Sequence, residues 1–259
     1  MSVQLYIIAV LMGLSLGLIG AGGAIVAVPA FVYLGGIPPT VASGYALFVA
    51  AVATAIGSVQ YIRQRLVDWR SVLAFGATTL LTIALVRRFV LPLLPEQFDL
   101  GTTTVQLGTV LMLGFGAILM GAGAAMLRKQ PAVMAHPTHL ARLTIFGLII
   151  GVVSGFLGVG GGFLMTPALV LWANLEMKKA VGTSLVLIAV NGAAGVAADL
   201  AGNASYDWPF LLTFTGLTSA GIIAGTLLAA RVDGQRLKAG FGYFVLILGI
   251  AVLLRESLS

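Results

Sequence analysis

From Met1 to Ile62 this chain contains no aspartate, glutamate, lysine or arginine. Further along, the charged residues stand in short clusters between long apolar runs. In total 59% of the residues are hydrophobic and 8% are charged, whereas soluble domains carry about 25% charged residues. The sequence therefore predicts an all-α protein that is embedded in a lipid bilayer and crosses it several times.

Eight apolar runs are long enough to be considered as spanning segments. They cover residues 4–34, 40–62, 71–91, 103–127, 143–173, 180–199, 208–230 and 239–254. The first and the fifth run are too long for one helix, and each of them contains a cluster of glycines. We expect each to be a broken or re-entrant helix, because glycines weaken a helix and free backbone groups that lipid cannot satisfy.

An internal repeat links the two glycine clusters. Positions 17–57 align with positions 155–195 without a gap, and 14 of the 41 aligned positions are identical. One further inserted position then aligns Asp68-Trp69 with Asp207-Trp208. We expect a first transmembrane repeat over 1–127, a linker over 128–142 and a second transmembrane repeat over 143–259.

The basic residues indicate how the repeats are oriented. Loop 63–70 holds three arginines and its counterpart near 200–207 holds none, whereas loop 35–40 has none and its counterpart carries Lys178 and Lys179. Such alternation is typical of inverted-topology repeats, here each a glycine-turned helix plus three transmembrane helices. The loops expected in the cytoplasm are 63–70, 128–142, 176–179 and 231–238. Parallel repeats would divide the basic residues almost evenly, and we regard them as the weaker alternative.

A hairpin that turns inside the membrane presents unpaired amides and the positive end of its second helix to a cavity, where an anion is the natural ligand. Hydroxyl and amide donors follow the second turn in the sequence, and such neutral donors suit a tetrahedral oxyanion. The residues expected to bind substrate are Gly20, Gly22, Gly23, Ala24, Gly158, Gly160, Gly161, Gly162, Phe163, Thr183, Ser184 and Asn191. The competing interpretation is helix packing, which we prefer for Gly147, Gly151 and Gly155 because they share one helix face.

Other chemistry has little support. The net charge of +6 does not indicate nucleic acid, because the basic residues follow the pattern of membrane topology. The chain has no cysteine, and we find neither a carboxylate pair nor a nucleophile with a base. His136 and His139 lie in the linker and do not indicate a metal site. We expect no enzyme activity, no cofactor and no metal.

Three segments carry a resemblance to a known family: 158–169 (GVGGGFLMTPAL), 180–185 (AVGTSL) and Asp207-Trp208. They resemble the sulfite exporter family, also called TauE/SafE or toluenesulfonate uptake permease, over essentially the whole chain. The resemblance implies secondary transport of sulfite, a sulfonate or a related organic anion across the plasma (inner) membrane, coupled to protons. It leaves open whether the transport is import or export.

The first repeat departs from the family pattern, since 43–46 reads Ser-Gly-Tyr-Ala where Gly-Thr-Ser is expected. Either Ser43 and Tyr45 act as substitute donors, or the second repeat dominates binding. Asp199, aligned with Tyr61, is the candidate for proton coupling, with an interfacial structural role as the alternative. A passive anion channel and a non-transporting membrane scaffold are the alternative functions, and the packing glycines suit a monomer or a homodimer.

Overall fold

The computed structural model describes residues 3–20, 24–90, 97–100, 103–128, 140–157, 162–201 and 206–258. Its helices are α1 (Val3–Ile19), α2 (Ala24–Tyr33), α3 (Pro39–Arg63), α4 (Trp69–Leu85), α5 (Leu107–Leu127), α6 (Leu140–Leu157), α7 (Gly162–Leu171), α8 (Met177–Ala201), α9 (Trp208–Arg231) and α10 (Gly234–Leu258). Every predicted apolar run contains a helix. The two runs that are too long for one helix contain two each, α1 with α2 and α6 with α7.

Several helices have the length and composition of membrane spans. Within the described residues, four helical segments are long and apolar enough to cross a membrane: Gly44–Arg63, Met177–Ala197, Trp208–Arg231 and Gly234–Leu254. Shorter apolar segments are Gln4–Ile19, Trp69–Leu85 and Gly116–Leu127. The prediction of a helical, polytopic membrane protein is therefore confirmed.

The structure adds two features that the sequence interpretation lacks, a π-helical turn and a β-hairpin. After α4 the chain makes a π-helical turn over Val86–Val90. A short antiparallel hairpin follows, formed by β1 (Gln97–Leu100) and β2 (Thr103–Gln106), with Gln97 opposite Gln106. The run predicted as apolar from residue 103 thus begins as a strand, because its β-branched Thr-Thr-Val sequence favours an extended backbone.

Helices α3 and α8 cross antiparallel in the middle of the bundle. Gly182, near the start of α8, packs on Tyr61 near the end of α3, whereas Gly192 packs on Leu47 and Ala51 nearer the start of α3. Every residue from 181 to 188 is buried. Helix α8 is therefore surrounded by protein over this stretch, and polar groups here are shielded from lipid.

Two further helix pairs run parallel and touch through glycines. On α1, Gly13 and Gly17 lie directly against the backbone of α9 at Thr218 and Ile222. On α6, Gly147 and Gly151 lie against α4 at Phe75–Thr82. The packing role predicted for Gly147 and Gly151 is confirmed. Glycine removes the Cβ that would otherwise hold the two backbones apart.

The directions of the helices place most basic clusters at one end of the bundle, which we call the basic end. Lys178 donates to the carbonyl of Ala230 over 3.1 Å, so α8 begins where α9 finishes. Helix α5 runs antiparallel to α10, since Gly123 meets Leu246 and Gly116 meets Leu253. The basic residues at this end are Arg63, Arg65, Arg70, Arg128, Lys178, Lys179, Arg231, Arg236 and Lys238.

Each pair of short helices starts and finishes at the same end. Helix α1 begins beside the start of α9, and α2 returns there, because the ring of Phe31 lies 6.1 Å from that of Tyr45 and 5.8 Å from that of Phe210. Helix α6 begins at the basic end. Helix α7 returns to it, because Trp172 stacks on Phe146 with 4.2 Å between the ring centroids.

Candidate functional site

The turn after α1 is the best-defined feature of the predicted site. The Gly20 amide still bonds the Leu16 carbonyl over 2.8 Å, and the chain then leaves the helix with φ of +83° at Gly20. A Cβ at this position would lie 2.6 Å from Ser184 Oγ and 2.9 Å from Thr166 Oγ1. Both the backbone conformation and the space therefore require glycine here.

Two buried hydroxyls from the second repeat face this turn. Thr166 of α7 donates to Ser184 Oγ of α8 over 2.9 Å, and Ser184 donates to the Val181 carbonyl over 2.9 Å. Neither Thr166 nor Ser184 has any exposed surface. The structure thus joins predicted residues of both repeats, Gly20 and Ser184, at one place.

Asn191 lies two turns further along α8 on nearly the same face as Ser184, since seven residues rotate a helix by about 700°. It is 6% exposed, and neither its amide nitrogen nor its amide oxygen has a hydrogen-bond partner within the described residues. Ser154, four residues before the second glycine cluster, is also buried, and its hydroxyl oxygen likewise has no hydrogen-bond partner within the described residues. Buried polar groups usually pair, so these two positions invite a ligand or water.

We call the set of Gly20, Thr166, Ser184 and Asn191 the turn site. Sequence reasoning included Gly20, Ser184 and Asn191 but missed Thr166. The available signal was a threonine inside an otherwise apolar segment, just before Pro167. Its alignment partner in the first repeat is Val28, so the repeat did not draw attention to it.

Thr183 and Tyr45, which were expected to bind substrate, contact the starts of two other helices. Thr183 Oγ1 accepts the backbone N–H of Asp68 over 2.9 Å, immediately before α4. Tyr45 Oη accepts the backbone N–H of Asp207 over 2.6 Å, immediately before α9. Both side chains are buried, and each bonds the backbone just before another helix.

The two aspartates cap the helices that follow them. The Asp68 carboxylate accepts from the amide of Ser71 over 3.1 Å and from its hydroxyl over 2.5 Å. The Asp207 carboxylate accepts from the amide of Phe210 over 3.2 Å. Asp68 also lies 3.8 Å from the ammonium of Lys179, whose side chain is 40% exposed. Because solvent screens that ion pair, the caps contribute more to holding α4 and α9 in place.

Asp199, the candidate for proton coupling, lies near the end of the bundle opposite the basic end. Its carboxylate accepts from the hydroxyl of Tyr206 over 3.2 Å. Burial, and secondarily the charge of Asp199, raise the pKa of Tyr206 to about 12, so Tyr206 stays protonated near neutral pH and keeps donating. Gly44 leaves room for this pair, since a Cβ there would lie 2.9 Å from Tyr206 Oη and 3.1 Å from Asp199 Oδ2.

The remaining predicted residues are only partly placed. Ala24 begins α2, Gly162 and Phe163 begin α7, and Ser43 lies in the second turn of α3. Positions 22, 23, 158, 160 and 161 lie outside the described residues, as do His136 and His139 of the linker. The part of the chain that the structure describes contains no group of three or more His, Asp or Glu placed to hold a metal ion.

Comparison with known proteins agrees with the membrane architecture. The family profile described as Sulfite exporter TauE/SafE matches residues 5–252. A probable membrane transporter protein of Xylella fastidiosa is 30% identical over 276 residues, covering 100% of this chain and 99% of that protein. One from Haemophilus influenzae is 26% identical, covering 96% of this chain and 97% of that protein. One from Bacillus subtilis, YjnA, is 23% identical, covering 98% and 100%. No solved structure gives a significant match.

Proposed function

The chain belongs to the sulfite exporter TauE/SafE family of membrane proteins, and on this basis we propose that it is a secondary transporter for a small sulfur-containing anion. The substrate class is sulfite, a sulfonate or a related organic anion. Transport proceeds by alternating access and is coupled to protons. The membrane is the plasma (inner) membrane, with the basic end in the cytoplasm, since Lys and Arg collect on that side.

The observation that carries this proposal is the turn site. A broken helix ends at Gly20 inside an apolar bundle, next to two buried hydroxyls. The same side of α8 carries the amide of Asn191, which has no partner among the residues that the structure describes. Backbone that leaves a helix inside a membrane protein is tolerated where it is buried or lines a cavity. Broken helices with such groups are the usual binding elements of secondary transporters.

Inverted repeats are part of the proposal, and pairs of equivalent contacts support them. Under the alignment, Thr183 corresponds to Tyr45 and Asp68 corresponds to Asp207. The Asp68–Thr183 hydrogen bond at the basic end thus has its counterpart in the Asp207–Tyr45 hydrogen bond at the opposite end.

The glycine contacts between helices also occur as equivalent pairs in the two repeats. When the same two offsets are continued, Gly13 corresponds to Gly151 and Thr79 corresponds to Thr218. Gly13 meets Thr218, and Gly151 meets Thr79. One pair of short helices starts and finishes at each end of the bundle. This is the arrangement that two re-entrant hairpins entering from opposite sides would have.

In alternating access, the basic end and the opposite end of the bundle would open in turn. The cap of α4 is tied to α8 at the basic end, and the cap of α9 is tied to α3 at the opposite end. Rocking one part of the bundle would loosen one of these ties while the other holds. Counting roughly 1.5 Å per residue, Ser184 lies about 10 Å and Asn191 about 21 Å along α8 from its start, so the turn site extends from beside the Thr183 tie toward the opposite end.

The first test is the thermal stability of the purified protein with sulfite, sulfate, thiosulfate, taurine, sulfoacetate, acetate or chloride, because a ligand that binds only the folded state raises it. A selective rise with a sulfur oxyanion, followed by saturable uptake of that anion into proteoliposomes that responds to a pH gradient, supports the proposal. Unsaturable flux that ignores the gradient would favour a channel. Neither binding nor flux for any anion would favour a scaffold.

A further inference from the structure

The turn site is built from neutral groups alone, although its proposed ligand is an anion. From Leu143 to Met177 the chain has no lysine, arginine or histidine, and none occurs from Ala180 to Ala230. The segment from Met1 to Ile62 has none either. A ligand held at Gly20, Thr166, Ser184 and Asn191 therefore meets two hydroxyls and a side-chain amide, with no side-chain cation contributed by these segments.

We propose that this arrangement selects for ligand charge: the turn site takes an oxyanion with one negative charge and rejects a dianion of the same shape. The inference rests on the proposed transport function and names the charge class of its substrate. The free energy needed to move an ion out of water grows with the square of its charge, so a dianion loses about four times as much solvation as a monoanion. Neutral donors that can offset the solvation free energy lost by a monoanion do not offset the larger loss of a dianion.

The hydroxyls can turn toward a ligand at little loss. Ser184 now donates to the Val181 carbonyl, which as a helical carbonyl also accepts the N–H four residues further on. If Ser184 Oγ–H rotates to an anion, that carbonyl remains paired. Thr166 donates to Ser184, so a ligand that binds Ser184 is also stabilised by the polarised Thr166 hydroxyl behind it.

Asn191 adds the second set of donors. Its NH₂ group has two N–H donors, and it has no partner within the described part of the chain. The rise along α8 from Ser184 to Asn191 is about 10 Å, and the two side chains with a hydrogen bond at each end cover most of it, so oxygens of one tetrahedral headgroup can accept from both. A sulfonate, with three acceptor oxygens, one charge and a substituent, has these properties.

The test uses two probes of matched shape, methanesulfonate with one charge and sulfate with two. Both are measured on the full-length protein in proteoliposomes, by uptake and by mutual competition. We expect methanesulfonate to be taken up saturably and to be favoured over sulfate at least about tenfold in apparent affinity, a difference of about 1.4 kcal/mol. Equal affinity, or a preference for sulfate, overturns charge selection but does not contradict the proposed transport function. Uptake of neither probe, with none of the other sulfur anions moved, overturns transport and charge selection together. Uptake of another sulfur anion without methanesulfonate overturns the inference alone.

Two variants connect this selectivity to the site. Ser184→Ala and Asn191→Leu should each raise the concentration of methanesulfonate for half-maximal uptake about tenfold. Thr215→Ala is the matched control, because Thr215 is also a buried hydroxyl but bonds the Leu211 carbonyl of its own helix. Variants are compared at equal amounts of folded protein, judged by monodisperse elution in detergent. Unchanged uptake in both site variants would overturn the assignment to the turn site.

Discussion

Tyr45 Oη accepts the backbone N–H of Asp207 over 2.6 Å, although 162 residues separate the two in the sequence. At the other end of the bundle Thr183 Oγ1 accepts the N–H of Asp68 in the equivalent way. A phenol and a short aliphatic alcohol thus perform the same task. The first repeat's departure from the Gly-Thr-Ser pattern keeps this contact while it changes the side chain that makes it.

Removing the Tyr45 hydroxyl should loosen the start of α9. We expect Tyr45→Phe to lower the free energy of unfolding by about 1 kcal/mol, a typical value for one intramolecular hydrogen bond. Thr183→Val should have a similar effect at the start of α4, and the two should add because they lie at opposite ends. Denaturant unfolding in detergent measures both. Tyr243→Phe, which alters a tyrosine that is 60% exposed, is the control, and an equal loss there would contradict the assignment.

Gly20 should tolerate no other residue. Gly20→Ala combines a strained left-handed backbone, about 1–2 kcal/mol, with a Cβ placed against Ser184 and Thr166. We expect anion uptake to be lost. Gly36→Ala separates the two effects, because Gly36 has φ of +62° but open space around its Cβ position. Uptake in Gly36→Ala should stay near that of the parent protein. If both variants behave alike, backbone strain alone explains the result.

Asp68 should matter more as a helix cap than as an ion pair. Asp68→Asn keeps an oxygen that can cap α4 but removes the charge that faces Lys179, so we expect a loss of less than about 1 kcal/mol. Asp68→Ala removes both and should lose about 1–2 kcal/mol. Thermal unfolding at low and high salt measures the difference. A larger effect for Asp68→Asn at low salt than for Asp68→Ala would show that the ion pair dominates.

The orientation of the bundle can be tested with single cysteines, because the natural chain has none. Gln64→Cys and Glu176→Cys lie at the basic end, and Leu34→Cys lies at the opposite end, all at positions that are not buried. A membrane-impermeant maleimide added to intact cells should label Leu34→Cys and spare the other two until the cells are permeabilised. Labelling of Gln64→Cys and Leu34→Cys from the same side would exclude the proposed topology.

Asp199 is the side chain through which we expect proton coupling. Asp199→Asn should still allow exchange of labelled anion across the membrane but should abolish acceleration by a pH gradient. Tyr206→Phe removes the hydrogen bond to Asp199 without removing the carboxylate, so it should keep the response to the gradient. A normal gradient response in Asp199→Asn would assign this carboxylate a structural role at the end of α8.

The sequence was sufficient for the features that depend on composition and spacing. Runs without charge predicted the helices, and the glycine clusters predicted where the long runs break, because both follow from what lipid tolerates. A packing role for Gly147 and Gly151 could be expected from their spacing alone, and the structure supplies their partners, Thr78 and Thr82. The aspartates before Trp69 and Trp208 were aligned, but their capping role required seeing which amides they face.

Contacts between distant segments could not be read from the chain. Nothing in the sequence places Thr166 next to Ser184, or either hydroxyl next to Gly20, because the approach depends on how α7 and α8 pack against the end of α1. The hairpin at 97–106 was missed for another reason. Its strands have too few residues for a clear period, and the following apolar run concealed where the helix begins.

The glycine contact between α1 and α9 has a consequence for the order of assembly. Helix α1 lies directly against α9, yet the ribosome must synthesise the whole chain as far as Trp208 before α9 begins. The glycine face of α1 therefore enters the bilayer without the partner it fits, and the turn at Gly20 closes only when the second repeat arrives. The contact between α4 and α6 spans a much shorter stretch of chain. The site is thus completed late in biogenesis, after nearly the whole protein has been inserted.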